Sequence, residues 1–240
     1  MKKIALALLA VVVFASCEKK ETDTGANVHI TGDVKGLSQG KLYLQKIEDT
    51  TLVLIDSIII SGNSKFESHF KLESPEVLYL SLDRGQTNSI DNSLPFFAEP
   101  GNITIETTLK HFFADAKVTG SKNHDLWMEF KEIGNRFNDE NLILMQKRLQ
   151  NELKPNTKTK DSIETAFQKL LKRKYRYVAH FATTHGDAAV APYLVLSEIA
   201  NINMSYLDTI QKSMKPEVAH SKYGKIFTDF VKERKATEKE

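Results

Sequence analysis

The sequence predicts an α+β protein, with an N-terminal antiparallel β-sandwich or barrel and a C-terminal helical region. Between Val28 and Gly120, short apolar or alternating runs recur at spacings of about 8 to 12 residues, separated by glycine, proline and asparagine. Beyond Gly120 the apolar period lengthens to that of a helix face. Strands followed by helices, rather than strands alternating with them, indicate α+β rather than a parallel βαβ architecture.

Residues 1–16 read as an export leader. Lys2 and Lys3 precede an apolar run from Ile4 to Phe14, and the small residues Ala15 and Ser16 precede Cys17. The apolar run is well short of the roughly 20 residues that a spanning helix needs. Cys17 is the single cysteine of the 240 residues. Its position after Ala15-Ser16 resembles the lipobox of bacterial lipoproteins, which implies diacylglycerol on its thiol and Cys17 as the first mature residue. Phe14 departs from the leucine usual in that motif. Two or more acyl chains hold a protein stably on a bilayer where one does not. With Glu18 after the cysteine, the resemblance implies outer-membrane sorting, with the periplasmic and surface faces both open. Residues 17–27 then form a polar tether without period.

The β-region spans 28–120. Val28-His29-Ile30 alternates ahead of Gly32, and Lys41 to Gln45 is bounded by Gly40 and the Glu48-Asp49 corner. Leu52 to Ile60 ends at Ser61-Gly62-Asn63, and Phe66, Ser68 and Phe70 alternate. Val77 to Leu82, Phe96-Phe97 and Ile103 to Ile105 follow, set apart by Asp83-Arg84-Gly85 and Glu99-Pro100-Gly101.

The helical region spans 121–235, followed by a charged tail at 236–240. Ser121 or Asn123 can cap the first helix, and Leu126, Phe130, Ile133 and Phe137 share one face. The apolar phase then shifts at Asn138 to Asn141, so a break or a second helix is expected before Leu142, Met145, Leu149 and Leu153. Pro155-Asn156 ends that element, and Asp161 opens another that stops at Gly186. Three shorter helices are expected over Pro192 to Ala200, Tyr206 to Met214 and Tyr223 to Val231.

Charge excludes one class of partner. There are 33 basic and 31 acidic residues, and removing Lys2 and Lys3 with the leader brings the two into balance. Nucleic-acid binding wants a clustered basic surplus, so none is expected. One cysteine allows no intramolecular disulfide and no C-x-x-C redox pair.

An ordered set of short signatures comprises Ile30-Thr31-Gly32 with Gly36, Lys41 to Leu44, Ile55-Asp56-Ser57, Gly62 with Phe66, Pro95 to Ile103, and Val118 to Asn123. Together they resemble the N-terminal domain of unknown function carried by many Gram-negative envelope lipoproteins, where it usually precedes a thioredoxin-like thiol:disulfide oxidoreductase domain. The resemblance extends over about residues 28–235, through Ala191-Pro192-Tyr193 and Ser221 to Gly224. The redox domain expected after Gly224 is absent from this sequence, so its activity carries over to no residue here.

No catalytic, cofactor-binding or metal-ligating set emerges from the residues. His180 and His185 are five apart, not the four of a zinc-binding H-E-x-x-H helix. Asp56 and Ser57 are adjacent on a strand and point to opposite faces, so they form no nucleophile–base pair and one is expected to bond a neighbouring loop. Lys169, Lys172, Arg173, Lys174 and Arg176 read as a solvated helix face. Phe96, Phe97, Phe112 and Phe113 are candidates for lining a ligand groove, against the plainer reading as core plugs. Phosphate loops and the G-x-S-x-G elbow are absent. The expectation is a non-enzymatic, lipid-anchored envelope protein that binds a ligand or partner. Two alternatives stand beside it: an accessory working in trans with a thioredoxin-fold protein, and a surface-exposed glycan or nutrient binder.

Overall fold

The computed structural model describes residues 25–85 and 90–238. The leader, Cys17 and most of the tether lie outside them.

Among the described residues, eight strands form two sheets. The first contains β1 (Val28–Lys35), β4 (Lys65–Phe70), β7 (Gly101–Thr108) and β8 (Lys117–Thr119), in the order β4-β1-β7-β8. The second contains β2 (Gln39–Glu48), β3 (Thr51–Ser61), β5 (Glu76–Asp83) and β6 (Ser93–Ala98), in the order β3-β2-β5-β6. The β-region is therefore a sandwich rather than a barrel. Every pairing is antiparallel except that of β1 with β7, which run parallel in register from Val28 opposite Gly101 to Lys35 opposite Thr108. They are the two central strands of the first sheet, and the whole second sheet together with β4 lies between them in sequence.

Alternation decides what each face meets. Val28, Ile30 and Val34 of β1 face inward, as do Leu42 and Leu44 of β2 and Leu78, Leu80 and Leu82 of β5. Phe66, Leu94, Phe96, Ile103 and Ile105 complete the core between the sheets. The other face of the second sheet is also apolar at Val77, Tyr79 and Phe97, and there it meets the helices. The result is three layers in the order sheet, sheet, helices, with the outer face of the first sheet open to solvent. Asp56 on β3 accepts from Ser68 Oγ on β4 at 2.5 Å and from the Ser57 N–H at 2.7 Å, so it ties the two sheets together rather than bonding a loop.

Gly120 turns the chain from the sandwich into the helices. Its φ is +92°, and a Cβ there would lie 2.1 Å from the Asn102 carbonyl oxygen, so both conformation and space require glycine. Ser121 then caps α1 (Lys122–Leu153), its hydroxyl accepting from the His124 N–H at 3.1 Å. Asn156 caps α2 (Thr157–Thr184) in the same way, accepting from the Thr159 N–H at 3.0 Å, so α2 begins four residues before the expected Asp161. The shorter helices are α3 (Val190–Glu198), α4 (Met204–Ser213), α5 (Pro216–Ala219) and α6 (Lys222–Thr237).

The expected break at Asn138 to Asn141 does not occur, and α1 runs unbroken for 32 residues. The weak helix formers there are held by α2, whose Arg173 grips Glu140 through two bonds of 2.8 and 3.1 Å. The apolar phase shift has a different consequence. Positions in phase with Phe130 and Phe137 continue as Asn141 and Leu144, whereas Leu142, Met145, Leu149 and Leu153 rotate out to solvent and are 53–77% exposed. Among the described residues no helix is long and apolar enough to cross a membrane.

Candidate functional site

Where the second sheet meets the helices, a cleft of about 910 Å³ opens beside β2, β5 and α6. Its tyrosines rest on an aromatic cluster in the core behind it. Phe97 stands edge-on to Trp127, Tyr193 and Tyr223 at centroid distances of 6.3, 5.8 and 5.8 Å, and Tyr193 lies 4.9 Å from Tyr223. Such edge-to-face clusters combine large apolar area with fixed geometry. Tyr79, Tyr193 and Tyr223 line the cleft, with the half-exposed Ile47 and Ile226 at its mouth.

Long-range bonds fix these groups. Tyr223 Oη accepts from the Val77 N–H at 3.1 Å, and Ser74 Oγ accepts from the Lys222 N–H at 2.8 Å. Lys222 Nζ pairs with Glu76, which is 7% exposed, and reaches the Ile47 carbonyl at 3.3 Å. Ser221 caps α6 by accepting from the Gly224 N–H at 3.2 Å, which aims Lys222 and Tyr223 back at the sheet. Burial pushes the Tyr193 hydroxyl up to about 12 and raises those of Tyr79 and Tyr223. All three stay protonated donors at any ordinary pH. Among the described residues, the Tyr79 and Tyr193 hydroxyls bond no protein group.

A second polar cluster clamps the same junction. Glu99 accepts from the Lys122 N–H and from Asn123 Nδ2, and Asn123 Oδ1 accepts from the buried Val190 N–H at 2.9 Å. His124 Nδ1 accepts from the Phe97 N–H at 3.3 Å. Burial, helped by the nearby Lys131 charge, pushes the His124 imidazole down to about 4, so it remains the neutral acceptor this bond needs. The β6–β7 turn, the start of α1 and the start of α3 are thereby joined.

The candidates read from the sequence fall elsewhere. Phe96 and Phe97 are fully buried on opposite faces of β6, one in each core, and Phe112 is buried against the sandwich core. Phe113 is half exposed and borders, with Phe112, Arg84 and Lys110, a separate cleft of about 440 Å³. The four phenylalanines share no groove, because strand alternation sends Phe96 and Phe97 apart. His185 tilts against Phe181 at 4.3 Å and His180 is exposed near the C-terminal end of α2. The basic run lies on the solvated face of α2, where Lys174 pairs with Glu198 at 2.7 Å and Arg173 with Glu140. Cys17 lies outside the described residues.

Some of the pieces that carried the family resemblance converge on this junction, while those around Gly32, Leu42, Asp56 and Phe66 lie in the sandwich. Glu99, the Ser121-Lys122-Asn123 turn, Tyr193, and the Ser221 to Gly224 turn come from four distant parts of the chain to one seam. Residues 28–127 match a family model described as a domain of unknown function, DUF4369. The sandwich is similar to the DUF4369 domain. The match runs through the eight described strands and ends at Trp127 on α1, which packs edge-on to Phe97 in the core behind the cleft. Neither a curated protein nor a solved structure matches the chain. What sequence reasoning missed was the cleft, since Tyr79, Tyr193 and Lys222 become neighbours only once α6 docks on β5.

Proposed function

We propose that this protein is a lipid-anchored component of a bacterial cell envelope that acts as a binding module, with the tyrosine-lined cleft between the DUF4369-like sandwich and the helices as its ligand site. The observation that carries the reading is the cleft itself. Free tyrosine hydroxyls, an aromatic cluster behind them and mixed charge at the rim are the ingredients of a site that orients a ligand by a few polar groups over apolar area. The lipobox-like Ala15-Ser16-Cys17 sequence supports the anchor, and the single cysteine supports binding rather than thiol–disulfide chemistry in this chain.

The test places a photo-crosslinking residue at Ile226, at the mouth of the cleft, and a control at Leu149 on the far part of α1. Irradiation of intact envelopes should give an adduct at 226 that is absent at 149 and lost when Ile47→Glu is added. A thioredoxin-fold adduct would make the module an accessory of a redox system, and a glycan adduct would make it a capture protein. No adduct specific to 226 would overturn the cleft. Cys17→Ser separates the anchor from the site: it should release the protein from the membrane, or leave the leader uncleaved, without unfolding the sandwich.

A further inference from the structure

On the outer face of the first sheet, away from the helices and the cleft, two histidines and a glutamate meet. His29 on β1 lies directly opposite His69 on β4 in the antiparallel register, and Glu67 precedes His69 by two residues on the same face. The imidazoles stack with centroids 4.0 Å apart and planes 15° from parallel. Both aim Nε2 at one oxygen, Glu67 Oε1, at 3.1 Å from His29 and 2.6 Å from His69. All three candidate donor atoms lie within 4.8 Å of one another. Among the described residues this is the one histidine and carboxylate group so gathered.

We propose that His29, Glu67 and His69 bind a divalent transition-metal ion of the Zn(II) type. Metal–ligand bonds of about 2.0 to 2.2 Å at tetrahedral angles put neighbouring donors about 3.3 to 3.6 Å apart, so the 3.1 and 2.6 Å separations widen on binding. To ligate one ion the imidazoles leave their stack and splay, turning each Nε2 lone pair toward the carboxylate oxygen, a movement open to side chains on the outer face of the sheet. Two imidazoles with one carboxylate suit Zn(II), Ni(II) or Cu(II) rather than Mg(II) or Ca(II), which prefer all-oxygen sets. Three protein ligands leave at least one position for water or for a donor from another molecule, the open arrangement of non-structural zinc sites. The two strands supply the geometry without a loop. Directly opposed residues on paired strands hold their Cβ atoms about 4.5 to 5.5 Å apart, and this pairing is fixed by the inward-facing Val28, Ile30, Phe66 and Ser68.

The full untagged chain, purified in detergent and stripped with chelator, is titrated with Zn(II) by calorimetry. One Zn(II) per chain is expected, with affinity falling at least tenfold in each of His29→Ala, Glu67→Gln and His69→Ala, and unchanged in His185→Ala. All three side chains are solvent-facing, so the variants should keep wild-type circular dichroism. Co(II) should give visible absorption typical of a nitrogen- and oxygen-ligated ion, and His69→Ala should abolish it. No saturable Zn(II) binding by the wild type, or binding that survives His29→Ala and His69→Ala, would overturn the site.

Discussion

Tyr223 Oη accepts the Val77 N–H at 3.1 Å, joining α6 to β5 across 146 residues of chain. Val77 is 5% exposed, so its N–H loses its only protein partner at a largely buried position if the acceptor goes. Tyr223→Phe keeps the ring against Phe97 and Tyr193 but strands that donor, which costs about 1 to 3 kcal/mol. For a domain of this size each kcal/mol lowers Tm by about 2 to 4 °C. Urea titration of both proteins reads the difference, and a change under about 0.5 kcal/mol would mean the bond does not hold the seam.

Glu76 and Lys222 make a harder test of the same seam. Removing the cation with Lys222→Met leaves a carboxylate that is 7% exposed without its partner. A fully buried pair would lose about 3 to 5 kcal/mol, but the lysine side chain is about one-third exposed and water screens it, so about 1 to 3 kcal/mol is expected. Glu76→Gln combined with Lys222→Met should recover part of the loss. A double-mutant cycle measures that coupling, and a coupling near zero would make the pair an ordinary surface contact.

His124 gives the junction a pH dependence. Its pKa falls from an ordinary value near 6.5 to about 4 in the folded chain, chiefly through burial. Between those values the unfolded chain binds more protons, so stability rises with pH across that window. The contribution is complete above about pH 6.5 and is lost as pH falls through about 4, for a total of about 3 kcal/mol. In His124→Asn the amide oxygen still accepts from Phe97, but nothing titrates. Urea midpoints at pH 7.5 and 4.5 should differ less in the variant than in the wild type, and equal slopes would remove His124 from the account.

The sandwich was legible because its strands keep one face apolar: Val28, Ile30, Leu42, Leu44, Leu78 and Leu80 alternate in the sequence as they do in space. Helix caps were legible where a polar residue precedes a periodic run, as at Ser121, and missed at Asn156 because Pro155 beside it reads as an ending. Pairing between distant elements left no such trace. The parallel partnership of β1 with β7, the docking of Tyr223 on β5 and the meeting of His29 with Glu67 and His69 all depend on topology, which no local period encodes. The groove suggested by Phe96 and Phe97 failed for a related reason. Both faces of β6 are buried at this point, so an aromatic doublet there fills two cores rather than one surface.

The outer half of α1 separates periodicity from burial. Leu142, Met145, Leu149 and Leu153 repeat at helical spacing, yet they are offset by one position from the stripe that Phe130 and Phe137 begin, and one position turns a side chain by about 100° around the axis. Leu149 is 60% exposed while Phe137 is 9% exposed beneath Arg173 and Tyr177. Leu149→Ser should therefore change stability by no more than about 0.5 kcal/mol, because little apolar area leaves the interior. Phe137→Ala should cost about 3 kcal/mol, because it removes a ring from between the two helices and leaves a void. Guanidinium titrations of the two variants decide the matter. If Leu149→Ser proves the more damaging, that stripe is buried in solution against something α1 meets there, and the exposed face is an interface.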